Sequence, residues 1–568
     1  MLLLNGLLFI FYHVLLSAGI VIDLPHGSVN GTTSRTLAGT KYHSFLAMRY
    51  AEPPTDLLRF QPPSPVKAWK GIYDATYEKY ICYQIAENSD LENEDCLYIN
   101  VFTPKNLAAN NNESDLVIMA YIHGGGFVSG AGYMSKGSLG PKFFMDANVI
   151  LVTFNYRLGP LGFLSTGDEV LPGNLGLKDQ QLALEWVQGN IAYFGGDPKK
   201  VTIFGQSSGG SSVGYHLISP LSQGLFRAAI LESGSALSPM AYQRNETYYT
   251  LQTIKLINPN YNFTNSTDLL AFLQSVPASD IDLAGYNLTK SSESAAYYQI
   301  SKGFFYAPIK EVPHNGAFLT EPQYESFASG KYNHLPVLIG NTDEESLALA
   351  RLGDLSFLSK EYDANPSIMV PFDMHINNEN LKIELGSKIL NYFAGARFNN
   401  DSAKIIKYHS VHDLDKGNVK QAELMALYNP VYFYQFSYSG KMGNNAYSVK
   451  GAGKVMHSEE LNYIFSRSYS TEIPDNSNLT QFPLADRLVH YRMMSLWTNF
   501  AKYLDPTPLG IDEELLQGIT WQPIRRCGFK YLDIDENLVM KFGYPKPERY
   551  KFWTDLYNNY AVPPLDTF

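Results

Sequence analysis

The sequence predicts an α/β fold built on one large, mostly parallel sheet flanked by helices. Runs of apolar and β-branched residues at 117–122, 148–156, 201–204, 228–231, 335–339 and 431–437 are continuous rather than alternating, the pattern of strands buried on both faces. Between them lie helical stretches. Over 176–194, Leu182, Trp186 and the region of Ile191 share one face, and near the C-terminus Val489, Met493, Leu496, Trp497, Phe500 and Leu504 form a cleaner stripe. Alternating strands and helices give a parallel sheet covered on its faces. The composition permits a large core, with 45% apolar, 14% aromatic and only 17% charged residues.

A chain of 568 residues exceeds the usual domain size, but large α/β folds do so as single units. No internal repeat breaks the chain. The Asn/Ser/Tyr-rich stretch from about 243 to 300 and the charged stretch from about 345 to 425 read as insertions over the sheet edge of one elaborated domain, residues 20–568. A formal net charge of -11 excludes binding to a phosphate backbone, which needs a basic footprint. The substrate expected is instead a small, neutral or cationic molecule.

Residues 1–19, "MLLLNGLLFIFYHVLLSAG", have the short apolar stretch and small residues of a cleaved secretory signal peptide, although the segment carries no Lys or Arg, which leaves a retained N-terminal anchor as the alternative. No other segment reads as membrane-spanning. Secretion predicts glycosylation, and Asn30, Asn112, Asn245, Asn262, Asn265, Asn287, Asn400 and Asn478 each open an Asn-X-Ser/Thr triplet without proline. Cys82 and Cys96 are close enough to clip one loop, a closure worth about 3 kcal/mol in an entropy model. Cys527 is left over and reads as a buried, unreactive thiol, with no flanking His or basic cluster.

Residues 205–209, "GQSSG", follow the strand "KVTIF" and precede an apparent helix through Val213, Tyr215, His216 and Leu217. This is the setting of a nucleophile elbow. A sharp turn strains Ser207 into exposure, and flanking glycines remove side chains that would strike neighbouring backbone. An ordinary Gly/Ser turn has the same letters, so partners must decide. In this arrangement they follow the order serine, acid, histidine, with oxyanion donors upstream. Strand 117–122 runs into "HGGGF" at 123–127, where glycines let backbone N–H groups approach a substrate oxygen. Gly125, Gly126 and the N–H of Ser208 are the expected oxyanion donors, each worth on the order of 3 kcal/mol.

These stretches, with "EDCLYINVFTP" at 94–104, the run from Asn155 to Gly210 and "ESGSALSP" at 232–239, resemble the type-B carboxylesterases, the carboxylesterase/cholinesterase family of the α/β-hydrolase fold. Secreted insect esterases of venom type are the nearest in look. The resemblance implies a serine carboxylic-ester hydrolase without metal or organic cofactor, and a disulfide between Cys82 and Cys96. It also implies that "GAGKVMHSEELNYIF" at 451–465 carries the general base, His457. The orienting acid lies in "GNTDEES", where the family spacing selects Glu345. Ser346 stands where glycine is common, which keeps Glu344 open, and the remaining acids are expected to face solvent. Ser233 takes the place of a family serine that hydrogen-bonds near the triad.

Several departures bear on substrate. "YQIAENSDLENED", between Cys82 and Cys96, contains no Trp, so a cation–π site for quaternary ammonium loses its main contact. Gln206, where many relatives carry Glu, removes a negative charge beside the nucleophile. Juvenile hormone esterases often have Gln there, and "RF" at 59–60 and "DQ" at 179–180 echo them, but Ser208 replaces their Ala and Lys454 their Gly. Non-catalytic adhesion or binding ectodomains of the same fold lack part of the triad, which this sequence retains. Its C-terminal "YAVPPLDTF" also offers neither a membrane span nor a hydrophobic lipid-anchor signal.

Overall fold

The computed structural model describes residues 19–85, 90–107, 115–133, 139–291, 303–443, 447–467, 476–525 and 528–568. Residues 1–18, which hold all but the last residue of the expected signal peptide, Asn112 and Cys527 lie outside the described residues.

One 13-stranded sheet organises the chain. Its first half comprises β1 (Ile20–Leu24), β2 (Gly27–Arg35), β3 (Lys41–Arg49), β4 (Ile72–Asp74), β5 (Tyr98–Thr103), β6 (Leu116–Ile122) and β7 (Ile150–Phe154). The second half comprises β8 (Gly196–Gln206), β9 (Ala228–Glu232), β10 (Val337–Thr342), β11 (Val431–Phe436), β12 (Lys530–Ile534) and β13 (Leu538–Phe542). The order is β1-β2-β3-β5-β7-β6-β8-β9-β10-β11-β12-β13, with β4 beside β2. Strands from β7 through β12 pair in parallel, while the flanks β1-β2-β3-β5-β7 and β12-β13 are antiparallel.

All six apolar runs fall on strands of the parallel centre. In β6, Ile118, Ala120 and Ile122 join the core on one face, and Val117, Met119 and Tyr121 join that on the other. Both faces are dry, so the strand cannot alternate apolar with polar residues. Helix α1 (Leu175–Asn190) and helix α2 (Ser208–Ile218) pack on the first face. Helix α4 (Leu484–Tyr503) carries the C-terminal stripe and packs against β6 and β8 on the second, where Trp497 meets Tyr434 edge-on. Each such buried side chain contributes about 1.5–3 kcal/mol relative to exposure.

The charged insertion differs from expectation. Its helix α3 (Lys416–Met425) packs on β10 and β11, over interior strands of the sheet rather than over an outer edge. Gly417 lets the same helix approach the segment after β9, because a Cβ there would stand 2.9 Å from the Leu237 carbonyl.

The expected disulfide is present between Cys82 and Cys96. Asn245, Asn262, Asn265, Asn287, Asn400 and Asn478 are exposed, whereas Asn30 is half-buried within β2. Among the described residues no helix is long and apolar enough to cross a membrane.

Candidate active site

Register alone gathers the site. Gln206 pairs with Glu232, Glu232 with Gly340, and Gly205 with Ile122, so β6, β8, β9 and β10 end at nearly one level. The segments following them, at His123, Ser207, Ser233 and Asp343, therefore emerge together beyond the carboxyl ends of the strands, where α/β sheets bind ligands.

Ser207 occupies φ 60° and ψ −127°, a conformation costly for a residue with a side chain. Packing enforces it. A Cβ on Gly205 would lie 2.6 Å from the Gly209 carbonyl oxygen, one on Gly209 2.1 Å from that of Ile122, and one on Gly234 1.9 Å from that of Ser207. The strand, the helix and the β9 loop thus close on the serine from three sides. Ser207 N–H donates to the Glu232 carbonyl at 2.8 Å, and Ser207 stays half-exposed among buried neighbours.

His457 Nδ1 lies 2.6 Å from Glu345 Oε2, and its backbone N–H donates to the Glu345 carbonyl at 3.1 Å. Glu345 is buried, and its other oxygen accepts from Ser233 Oγ and from Thr342 N–H, each at 2.7 Å. Burial alone would raise its pKa. The hydrogen bond and charge of His457, aided by Ser233 and Thr342, outweigh that and hold it below the ordinary carboxylate value. Two nearby carboxyls go the other way. Burial raises Glu232 to about 8 despite a 2.5 Å hydrogen bond from Trp497 Nε1. Burial, then the charges of Glu345 and Glu232, raise Glu460, whose carboxyl oxygens have no hydrogen-bond partner among the described residues. One ionised acid among neutral ones is therefore directed at the imidazole.

Of the two other acids in this stretch, Asp343 is half-exposed, whereas Glu344, the open alternative, is buried. Glu344 accepts from Gly453 N–H at 3.0 Å, and Asp343 accepts from Lys454 N–H at 3.1 Å. Both acids hold the backbone of the histidine loop, while Glu345 alone of the three bonds the ring. Among the described residues His123 and His216 have no carboxylate partner; burial lowers His123 to about 4 and His216 to about 3, which leaves both neutral.

Gly125 and Gly126 adopt φ of 111° and 64° in the loop after β6. A Cβ on Gly125 would fall 2.0 Å from the Ser129 carbonyl oxygen, so only glycine fits. Two contacts lie beyond what the sequence indicated. With Nδ1–H given to Glu345, His457 Nε2 is an acceptor, and it lies 3.2 Å from the amide nitrogen of Gln206, the residue before Ser207. Ser208 Oγ accepts from Phe127 N–H at 3.3 Å, joining the elbow to the glycine loop. These pairs are separated by 251 and 81 positions, and no local pattern marks them.

Residues 18–553 match the sequence model of the Carboxylesterase family. The chain belongs to this family. It is a carboxylic ester hydrolase of α/β-hydrolase fold. The esterase is 35% identical over 503 residues to Esterase FE4 of Myzus persicae, covering 85% of this chain and 84% of that one. With Venom carboxylesterase-6 of Apis mellifera it shares 33% over 427 residues, 72% of this chain and 74% of the other. Its fold superposes on juvenile hormone esterase from Manduca sexta, solved with OTFP covalently attached, at a TM-score of 0.82 and 27% identity, over 95% of this esterase and all of that chain.

Proposed function

We propose that the esterase works through an acyl-enzyme, with Ser207 as nucleophile, His457 as general base and acid, and Glu345 as the orienting carboxylate. The observation that carries this reading is the chain of hydrogen bonds from Ser233 through Glu345 to His457, whose far nitrogen meets the residue beside the strained serine. In the first step Ser207 Oγ takes the place of the Gln206 amide at His457 Nε2, gives up its proton there and bonds to the ester carbonyl carbon. The carbonyl oxygen becomes an oxyanion held by the N–H groups of Gly125, Gly126 and Ser208. His457 then protonates the departing alcohol as the carbon–oxygen bond breaks. Water, deprotonated by His457, attacks the acyl group, and Ser207 recovers its proton as the acid leaves. Glu345 remains ionised and stabilises the imidazolium throughout.

Ser207→Ala should remove covalent labelling by a fluorophosphonate and reduce kcat by about 10⁴-fold or more. Retained labelling at another residue overturns the assignment.

The substrate proposed is a small, uncharged ester of short or medium acyl chain. Gln206 adds no negative charge at the nucleophile, and the described residues between Cys82 and Cys96 include no Trp to stack on a quaternary ammonium. The same Gln206, together with the likeness to juvenile hormone esterase, favours a second reading as a hormone esterase. Comparing kcat/KM for acyl and alcohol series against a juvenile hormone ester decides between them. The apolar leader and the exposed sequons support secretion as a glycoprotein, which N-terminal sequencing and glycosidase treatment of protein from culture medium test.

A further inference from the structure

The oxyanion loop is held at its far end by a residue outside the catalytic set. Gln84 lies two positions after Cys82, is buried, and faces the backbone of Gly130 with its whole carboxamide. Its Nε2 donates to the Gly130 carbonyl at 2.6 Å, and its Oε1 accepts from Gly130 N–H at 3.0 Å. An amide that satisfies both groups of one residue fixes that peptide in position and rotation. Gly130 in turn supports the loop's start. At φ 108°, it packs so closely that a Cβ would stand 2.4 Å from the Gly124 carbonyl oxygen and from His123 Nδ1. The preceding residue, Ser129, donates its N–H to the Gly125 carbonyl at 3.0 Å.

A second amide ties down the same region. Asn155 Nδ2 donates to the Cys96 carbonyl at 3.1 Å and to the Tyr80 carbonyl at 3.2 Å, while its Oδ1 accepts from Gly132 N–H at 2.8 Å. The two ends of the disulfide-closed loop are therefore tied to residues 130–132, one directly by Gln84 and the other through Asn155. The opposite end of the glycine loop is pinned separately, by Tyr156 Oη donating to the His123 carbonyl at 2.8 Å.

We infer that Gln84 is a positioning residue for the oxyanion donors: by clamping both backbone groups of Gly130, it fastens the Cys82–Cys96 loop to the turn that aims the amides of Gly125 and Gly126. The inference rests on the proposed oxyanion role of those amides. Donors in such a site act only from fixed positions, and a shift of about 1 Å can cost a hundredfold in rate. Loss of the clamp therefore lowers kcat and leaves ground-state binding in place.

The test compares wild type with Gln84→Ala in steady-state kinetics and in affinity for a matched pair of ketones. The trifluoromethyl ketone forms a tetrahedral adduct with Ser207 and places an oxyanion on the donors; the methyl ketone of the same chain binds without reacting. For Gln84→Ala, kcat and trifluoromethyl ketone affinity should each fall about ten- to a hundredfold, with KM and methyl ketone affinity within about twofold. A folded variant with unchanged kcat overturns the role of Gln84 alone, as does equal loss of affinity for both ketones. A wild type that does not prefer the trifluoromethyl ketone overturns the oxyanion reading itself. If Gln84→Ala does not fold, Gln84→Glu keeps an acceptor for Gly130 N–H and turns a carboxylate oxygen toward the Gly130 carbonyl; the same split is expected, and its absence overturns the proposal.

Discussion

The strained turn at Ser207 and the Glu345–His457 pair adjoin through Gln206 but are held by different forces. Around Ser207 the constraint is steric. Gly205, Gly209 and Gly234 leave no room for a Cβ, and the backbone of β8 and α2 has one path between them. Around His457 the constraint is polar: a buried carboxylate is kept ionised by donors from β10, the β9 loop and the histidine loop, brought together across more than a hundred residues. Steric constraints fail abruptly, because overlap has no softer alternative. Polar ones fail by degrees, because a lost hydrogen bond can be replaced in part by water.

The largest effect should therefore come from the elbow. Gly209→Ala forces an added carbon to 2.1 Å from the Ile122 carbonyl oxygen in the middle of the sheet. Activity should fall below detection and the thermal midpoint should drop by several degrees, consistent with a loss of about 3 kcal/mol or more. A fully active, equally stable Gly209→Ala variant would show that the turn has a second path. Glu345→Gln comes next. Its carboxamide cannot carry the charge that stabilises the imidazolium and leaves a partner of His457 with the wrong donor, so kcat should decline about 10³–10⁴-fold. Glu344→Gln, whose side chain accepts from Gly453 N–H and does not bond the His457 ring, should cost less than tenfold. Reversal of that ranking in steady-state kinetics would reassign the acid.

The same contrast explains what could be read in the sequence. A steric turn is written locally: five residues between a strand and a helix identify Ser207, and "HGGGF" marks the glycine loop by its lack of side chains. The doubly buried strands are equally plain, because both their faces must be apolar. The antiparallel flanks are not. β3, "KYHSFLAMR", and β2, "GSVNGTTSR", mix polar and apolar residues, and their pairing is set by neighbours absent from any short window. The polar half of the site needed the family likeness to place Glu345 and His457. Even so, no local pattern reports that Glu344 is buried or that it and Asp343 bond the histidine loop. Gln84 is likewise invisible in sequence, since its two bonds span 46 residues.

A third prediction separates charge from geometry. Glu232 sits at the end of β9, and its pKa is raised to about 8, chiefly by burial. A carboxyl raised on folding contributes stability that is fully present below its unfolded pKa and is lost as pH rises through the folded one. Between about pH 4.5 and 8 the unfolded chain releases this proton while the folded esterase retains it, so folding weakens across that window. Glu232→Gln keeps an oxygen for Trp497 Nε1 and has no proton to hold. The variant should gain on the order of 2 kcal/mol relative to wild type at pH 8 and little at pH 5, read as the difference in denaturation midpoints. An equal shift at both pH values would trace the effect to packing instead.

The smallest effect lies at the seam between the two regimes. Ser208 belongs to the elbow through its backbone, which is proposed to donate to the oxyanion, and to the polar network through its hydroxyl, which accepts from Phe127 N–H at 3.3 Å. Ser208→Ala removes only the second. Phe127, at φ 63°, is still held by its carbonyl, which accepts from Gly159 N–H at 2.8 Å, so its loop has a remaining anchor. A bond of this length between neutral groups contributes about 0.5–1.5 kcal/mol, and kcat should fall no more than about tenfold with KM unchanged. A larger loss would mean that the hydroxyl, and not the glycine packing alone, sets the spacing between the elbow and the oxyanion loop. The steric and polar halves of the site would then be one coupled unit, and Ser208→Ala combined with Gln84→Ala would cost less than the sum of the separate changes.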